Sequence, residues 1–364
     1  MPARVEFARR NTRSVCVGNL KIGGDAPVSV QSMTKTDTRD VDSTLRQIST
    51  LEESGCELVR CAVPDSEAAE SLREIVAGAG IPVAADIHFD SDLALASLKA
   101  GVAKLRINPG TIGDREKVER LAREAKERGV PIRIGVNAGS LEREYLKRDG
   151  WPSPEGMVDS ALGHIRLLEG WDFTDIVVSL KASDVSRTVA AYRLLAGRCD
   201  YPFHLGITEA GAGENAVVKS AAGIGALLAE GIGDTIRVSL TEDPVREVEV
   251  GWAILKSLGL RKKGPEFISC PTCGRCEVDI SAIAAEVERR LKGISAPITV
   301  AVMGCAVNGP GEAREADIGF AAGREKGAIF RRGELLRTIS VERAVEELVA
   351  EALKLADDID ASSD

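Results

Sequence analysis

Residues 101–137 read GVAKLRINPGTIGDREKVERLAREAKERGVPIRIGVN. Two β-rich runs, KLRINPG (Lys104–Gly110) and PIRIGVN (Pro131–Asn137), flank a charged amphipathic stretch, Asp114–Arg128, that predicts a helix. Strand, helix and strand at this spacing make a parallel β–α–β unit. Parallel strands are covered on both faces, so Val, Ile and Leu should fill them almost uniformly. These two strands break that rule. Lys104, Arg106 and Asn108 sit at alternate positions, and Arg133 and Asn137 share a face in the same way.

The unit recurs along the chain. Runs of the same kind are VSVQSM (Val28–Met33), ELVRCAV (Glu57–Val63), PVAADIHF (Pro82–Phe89), IVVSLK (Ile176–Lys181), PFHLGIT (Pro202–Thr208) and TIRVSL (Thr235–Leu240). Helical stretches are expected at Asp40–Ser54, Asp65–Gly78, Pro154–Glu169, Asp184–Leu195, Asn215–Glu230 and Pro244–Leu258. Several open on Asp or Ser and close near Gly, as capping requires. Eight such alternations predict an N-terminal TIM (β/α)8 barrel over residues 1–260, since a doubly wound open sheet usually has fewer strands. The 364 residues suit a barrel of about 250 plus an appendage of about 100.

After Leu260 the pattern changes. RKKGPEF (Arg261–Phe267) reads as a charged linker, and residues 265–358 as a small α+β domain. Its expected parts are a cysteine cluster, helix Asp279–Leu291, strand PITVAVMG (Pro297–Gly304), short strands at Ile318–Ala321 and Ala328–Phe330, and a helix from Val341 to near Leu355. The tail DDIDASSD is expected to fray.

Composition narrows the classes. Hydrophobic residues at 44% against 28% charged belong to a globular protein, and 4% aromatics with abundant aliphatics suit buried parallel strands. A net charge of −9 argues against a nucleic-acid partner. No run approaches the roughly 20 apolar residues that span a bilayer, and MPARVEFARRNTRSV has no apolar run behind it. The expected setting is therefore the cytoplasm, without membrane contact. In that reducing compartment the eight cysteines are better read as metal ligands or buried thiols than as disulfides.

Six of the eight strands carry polar residues at period two. Besides the two already quoted, Ser179 and Lys181, Arg237 and Ser239, Arg60, and Asp86 with His88 stand near strand C-terminal ends, where TIM-barrel active sites lie. An unpaired charge inside a barrel would cost several kcal/mol. Converging cations with few acids nearby (Asp86 and Glu209 are the evident ones) therefore imply a polyanionic ligand, with phosphate or diphosphate the natural choice. Individual cations could instead pair with carboxylates. Gly211 and Gly213 read as a turn, His164 as structural, and Cys16, Cys56, Cys61 and Cys199 as buried small hydrophobes.

The second region opens with SCPTCGRC, which supplies Cys270, Cys273 and Cys276; MGCAVNGPGEAR follows with Cys305 and Glu312. Two thiolates at C-x-x-C spacing and a third from a distant loop can hold one metal centre. Spacing alone leaves zinc and iron–sulfur equally open. No second distant C-x-x-C pair exists, which leaves three good thiolates with a carboxylate candidate and tilts the reading toward iron–sulfur.

These segments together resemble 4-hydroxy-3-methylbut-2-enyl diphosphate synthases of the bacterial two-domain form. The resemblance spans essentially the whole chain and rests on RNTRSVCVGNLKIGGDAPVSVQSMTKTDT, ADIHFD, KLRINPG, RIGVNAGSL, SLKASD, HLGITEAG, GDTIRVSLT, SCPTCGR and GCAVNGPGEA. It implies a [4Fe–4S] cluster on Cys270, Cys273, Cys305 and Glu312, with electrons from flavodoxin or ferredoxin. The implied reaction opens and dehydrates 2-C-methyl-D-erythritol 2,4-cyclodiphosphate to 4-hydroxy-3-methylbut-2-enyl diphosphate. The implied assembly is a homodimer in which the cluster domain of one subunit closes over the barrel of the other. Cys276 departs from the pattern, because similar proteins usually have a non-ligating residue there. Within this frame Arg60, Arg106, Arg133 and Lys181 are expected to take the diphosphate, with Asn108, Asn137, Arg237 and Ser239 completing the shell. Glu209 is the expected proton donor, oriented by His88 or Asp86. The competing reading is a barrel transferase resembling dihydropteroate synthase, with a structural zinc domain.

Overall fold

The computed structural model describes residues 7–88, 90–108, 115–276, 278–305 and 309–361. Two compact units divide the chain between Arg261 and Lys262. The first opens with a hairpin of β1 (Val15–Val17) and β2 (Leu20–Ile22). Eight parallel strands follow: β3 (Ser29–Met33), β4 (Leu58–Ala62), β5 (Val83–Asp86), β6 (Lys104–Ile107), β7 (Ile132–Asn137), β8 (Ile176–Lys181), β9 (His204–Leu205) and β10 (Thr235–Ile236). Their order is β8-β7-β6-β5-β4-β3-β10-β9. A parallel bridge between Val178 and Phe203 joins the two ends, which closes the sheet into a nearly complete barrel.

Capping fixes where the helices start. Asp40, Asp65, Ser153 and Asp184 each accept a hydrogen bond from a backbone N–H in the first helical turn, the donors being Ser43, Ala68, Gly156 and Arg187. Helix Ser91–Ala100, between β5 and β6, goes beyond the helical stretches expected above; Asp90 caps it and Gly101 ends it at φ +94°. The expected start at Asp114 lies outside the described residues, and that helix runs over Arg115–Glu127.

Strands β9 and β10 are far shorter than PFHLGIT and TIRVSL suggest. Just past the end of β9, Gly206 packs closely against its neighbour; a Cβ there would stand 2.5 Å from the Arg237 carbonyl oxygen. Hydrogen bonding nevertheless continues past the strand ends, from Arg237 N–H to the Leu205 oxygen and from Thr208 N–H to the Ala182 oxygen. Tyr192 spans the β8–β9 seam: its hydroxyl accepts from Leu180 N–H and donates to the His204 carbonyl at 2.6 Å.

Register sets what faces inward. Arg60 pairs with Ala84, Asp86 with Arg106, Arg106 with Arg133, and Asn137 with Lys181. These residues share one parity along their strands, so they line the interior. Leu58 and Ala84 share it near the opposite strand ends, where they pack with Val17 and Ile22 of the hairpin. The hairpin thus supplies an apolar floor beneath a polar interior.

The second unit is a five-stranded sheet of β11 (Glu266–Ser269), β12 (Thr299–Met303), β13 (Ile318–Ala322), β14 (Lys326–Arg331) and β15 (Glu334–Ser340), in that order. The first three are parallel and the last two antiparallel. Helices Ile280–Leu291 and Ala344–Asp360 share a core with the sheet through Val287, Val300, Phe320 and Leu348. Two expectations are corrected here. The linker RKKGPEF already contains the start of β11, whose side chains are half-buried or exposed and so carry no apolar signal. The tail is helical through Asp360 because Leu355 and Ala356 are buried, and Ile359 packs against the same core; residues 362–364 lie outside the described residues. No helix among the described residues is long and apolar enough to cross a membrane.

Candidate active site and thiolate pocket

The barrel's interior charges are organised around two carboxylates. Asp86, only 5% exposed, accepts from Arg106 Nη1 at 3.1 Å and lies 3.4 Å from Arg60 Nε and 3.6 Å from His88 Nε2. Burial alone would raise its pKa. Arg60 first, then the His88 hydrogen bond, Arg106 and Arg133 outweigh that and hold the carboxyl well below its usual range. Asp86 is therefore a fixed anion that aims two guanidinium groups. Glu247, from helix Pro244–Ser257, is the second carboxylate. It is buried and takes Arg237 through two contacts, Nε to Oε2 at 3.2 Å and Nη2 to Oε1 at 3.1 Å, while also accepting from Ser32 and from Leu240 N–H. Arg237 Nη1 donates to Ser239 at 2.6 Å. Arg237 and Ser239 are thus held together, but this cation is already paired. Glu247 escaped the sequence reading because it stands on a helix among many exposed acids; its place in the buried face of PVREVEV was the available signal.

The remaining cations meet neutral partners. Lys104 Nζ donates to Gln31 Oε1 at 3.0 Å, and Arg133 Nη1 donates to Ser179 Oγ at 3.2 Å. Lys181 passes over Gly206, where a Cβ would stand 2.7 Å from Nζ. Gly135 serves Arg106 in the same way, with a Cβ position 2.6 Å from Nε. Burial pushes the pKa of Lys104, Arg133 and Lys181 well below their ordinary values, and the neighbouring cations push further. Arg60, Lys104, Arg106, Arg133, Lys181 and Arg237 therefore share two carboxylates. An interior so short of negative charge is built to receive an anion.

Beneath this layer is a residue that sequence reasoning missed. His204 is fully buried, and both ring nitrogens lack a hydrogen-bond partner among the described residues, as do Gln31 Nε2, Arg133 Nε and Thr235 Oγ1. Burial, then Lys181, Arg133, Lys104 and Arg60 in turn, hold the imidazole neutral, with its pKa well below 6.5. The parity of PFHLGIT, with His204, Gly206 and Thr208 on one face, was the signal that could have found it.

Above the cations opens a cavity of about 420 Å³, lined by His88, Arg106, Asn108, Asn137, Arg187 and Glu209 among others. Of the expected residues, Asn108 and Asn137 stand beside Arg106 on the ends of β6 and β7, whereas Arg60, Arg133 and Lys181 lie deeper. Glu209 is exposed at the cavity edge and holds φ +53°, a left-handed conformation costly for a non-glycine residue. Such strain at a cavity rim suits a functional side chain. Arg187, capped into place by Asp184 and lying over the Trp151 ring at 4.7 Å, was not singled out from the sequence. Gly211 and Gly213 form a turn whose Gly213 N–H is taken by the Glu242 carboxylate, and His164 pairs with Glu142 at 2.7 Å. Cys56 and Cys61 are buried, their thiols raised by burial to about 12 and about 11. Cys199 is half-buried, and Cys16 departs from expectation: it is exposed on the hairpin.

The second unit concentrates its thiols in one place because β11 and β12 are parallel neighbours. Cys270 follows the end of β11 and Cys305 follows β12, so the two strand ends deliver both to the same edge. A reversal at Thr272 (φ +52°) and a hydrogen bond from Cys276 N–H to the Cys273 oxygen at 2.9 Å fold the intervening loop back. Cys270, Cys273, Cys276 and Cys305 line one cavity of about 220 Å³. Gly304 forms its wall; its N–H donates to Cys270 Sγ at 3.3 Å. The Arg275 hydrogen bond lowers the Cys273 thiol pKa. Glu312 is exposed in the first turn of helix Gly309–Glu315 and does not line the cavity. No three donors stand in metal-ligating geometry among the described residues. Even so, four thiols around one space, with a backbone N–H directed at a sulfur, suit a metal–sulfide group.

Fold and site define a class: a TIM-barrel enzyme with an anion cradle at the strand ends, joined to a thiolate-bearing domain. The chain belongs to the GcpE family. Residues 12–252 match the GcpE TIM-barrel domain and residues 266–354 the GcpE protein C-terminal domain. It is 59% identical to the 4-hydroxy-3-methylbut-2-en-1-yl diphosphate synthase (flavodoxin) of Geobacter sulfurreducens, over 95% of this chain and 98% of that protein. The protein of the same name from Clostridium perfringens is 57% identical over 94% of this chain and 98% of that one. The dihydropteroate synthase structure from Yersinia pestis covers 68% of this chain and 98% of its own at 12% identity and a TM-score of 0.48, too loose a likeness to support the transferase alternative.

Because the native state keeps His204 neutral while the unfolded chain protonates it below about pH 6.5, stability is lost as pH falls through that value. The loss approaches about 1.4 kcal/mol per pH unit as pH falls below about 6.5. Urea unfolding of the unliganded protein across this window should show the loss, and His204→Gln should flatten the curve by about that amount. Equal slopes in the two proteins would contradict the assignment.

Proposed function

We propose that this chain is a 4-hydroxy-3-methylbut-2-en-1-yl diphosphate synthase that draws electrons from a flavodoxin, as the names of its relatives state of them. Ferredoxin is the other donor implied by the resemblance. The reaction is the two-electron opening and dehydration of 2-C-methyl-D-erythritol 2,4-cyclodiphosphate. The observation that carries this reading is the excess of buried cations over carboxylates at the barrel's strand ends, in a chain that also gathers four thiols into one cavity.

In this reading residues 1–260 bind substrate and residues 265–358 bind the cluster. Arg133 and Lys181, which meet no carboxylate among the described residues, take the diphosphate charge. Arg60 and Arg106 add donors whose direction Asp86 sets, and Asn108 and Asn137 complete the shell from β6 and β7. Arg237 and Ser239, tied to Glu247, complete the shell as a fixed wall. Displacing water from this interior strengthens each contact with the anion. Cys270, Cys273 and Cys305, with Glu312, would hold a [4Fe–4S] cluster, which supplies electrons one at a time when bound. Glu209, at the edge of the 420 Å³ cavity and oriented by His88 or Asp86, gives its proton to the departing hydroxyl, which leaves as water. The homodimer rests on the family resemblance. The cytoplasm is the compartment that keeps these thiols reduced.

Protein purified without air should contain about four irons and about four sulfides per chain and should convert the cyclodiphosphate when given a chemical reductant. Stoichiometric zinc without sulfide, or no turnover by cluster-loaded protein, would overturn the reading. Replacing Glu209 by Gln removes the proton but keeps the shape. Turnover should fall by about a hundredfold or more, with substrate affinity nearly unchanged; unchanged turnover would remove Glu209 from the chemistry.

A further inference from the structure

One cation at the mouth of the barrel is left over once the proposed function has used the others. We propose that Arg187 captures the substrate: it meets the diphosphate at the cavity rim, ahead of Arg133 and Lys181, and takes no part in the chemistry. The inference rests on the reading of the ligand as a diphosphate, and it adds a residue that the family resemblance did not supply.

Three observations support it. The first is place. Arg187 lies in the first turn of helix Val185–Ala196, on the chain just beyond Lys181, and it lines the 420 Å³ cavity with Arg106, Asn108 and Asn137. It is half-buried, whereas Lys181 at the end of β8 is buried, so an anion arriving from solvent reaches Arg187 first. The second is charge. The acid nearest in sequence, Asp184, is engaged elsewhere: its Oδ1 accepts from Arg187 backbone N–H at 2.7 Å and from Ser186 Oγ at 2.9 Å. Among the described residues the Arg187 guanidinium forms no ion pair, and its Nε is buried without a hydrogen-bond partner. Arg106, which lines the same cavity, is by contrast bound to Asp86.

The third is posture. The guanidinium lies over the Trp151 ring, 4.7 Å from its centroid. Stacking on an aromatic face fixes the plane of the group without cancelling its charge, and the N–H groups in that plane stay free to donate. Trp151 is itself 48% exposed, an unusual place for so large an aromatic, and its neighbour Pro152 lines the cavity. The tryptophan is a platform that holds a cation at the entrance.

Position also sets the size of the effect. A single cation at a partly wet rim strengthens and speeds association with an anion by a few fold, and salt screens it. The dry contacts deeper in the barrel are screened far less.

The test uses the full-length protein with its cluster, kept free of oxygen. Inorganic diphosphate is titrated by calorimetry into the unaltered protein, Arg187→Met and Arg187→Lys. Two ionic strengths are compared, about 0.01 M and about 0.15 M, between which the Debye length falls from about 30 Å to about 8 Å. Methionine keeps an apolar cover on Trp151 but no charge. That variant should bind diphosphate about fivefold more weakly at the lower ionic strength and about twofold more weakly at the higher, and lysine should recover most of the loss. With the cyclodiphosphate and a chemical reductant, Arg187→Met should raise KM by a similar factor and keep kcat within about twofold. Equal diphosphate affinity of the methionine variant and the unaltered protein would overturn the proposal. So would a deficit of the same size at both ionic strengths, the mark of a merely structural role, or a loss of kcat at unchanged KM. Diphosphate that does not bind the unaltered protein would sink the diphosphate reading, and this inference with it. Loaded protein that binds diphosphate with the help of Arg187 but leaves the cyclodiphosphate unchanged would sink the synthase reading and leave the capture role standing.

Discussion

The structure depends on an imbalance of charge inside the barrel. Among the described residues six basic side chains point into it, and two buried carboxylates, Asp86 and Glu247, answer them. Cations enclosed in low dielectric lose hydration and repel one another, so a fold tolerates them only if something else gives back the energy. The aliphatic shell between strands and helices, with an apolar floor made by Val17, Ile22, Leu58 and Ala84, stabilises the barrel enough to carry that load. The imbalance is then available for binding. An anion entering from the strand C-terminal ends meets donors already aimed and already dry, so little reorganisation opposes its capture.

Much of this was legible in the sequence because strand parity is a strict code. Lys104, Arg106 and Asn108 could only share a face, and the register of β5 through β8 brings that face together with Asp86, Arg133 and Lys181. Partners reached through helices were not legible. Glu247 looks like any helical acid until the helix is packed, and its ion pair turns Arg237 from a free cation into a fixed one. His204 carried the right parity but sat in a run whose formal strand is only two residues long. The hairpin under the barrel and the half-exposed β11 were invisible for a related reason: short or amphiphilic strands gain their order from neighbours rather than from their own pattern. Gly135 and Gly206, inside the strand runs PIRIGVN and PFHLGIT, leave room for Arg106 and Lys181.

The second unit shows the same logic in its topology. Thirty-four residues lie between Cys270 and Cys305, and the parallel pairing of β11 with β12 makes them neighbours. The local C-x2-C-x2-C run was readable by eye. That all four thiols face one cavity while Glu312 stands outside it was not, because the run says nothing about where the distant glutamate falls.

The central claim is that the barrel's cations are held short of charge until an anion arrives. Calorimetric titration with inorganic diphosphate near neutral pH tests it most directly. Lys104 and Arg133 meet the neutral partners Gln31 and Ser179, so a diphosphate supplies the negative charge that they lack. Diphosphate should bind, and Arg133→Met should weaken it severely. Diphosphate that fails to bind, or that binds the Arg133→Met protein as tightly as the unaltered one, would contradict the account.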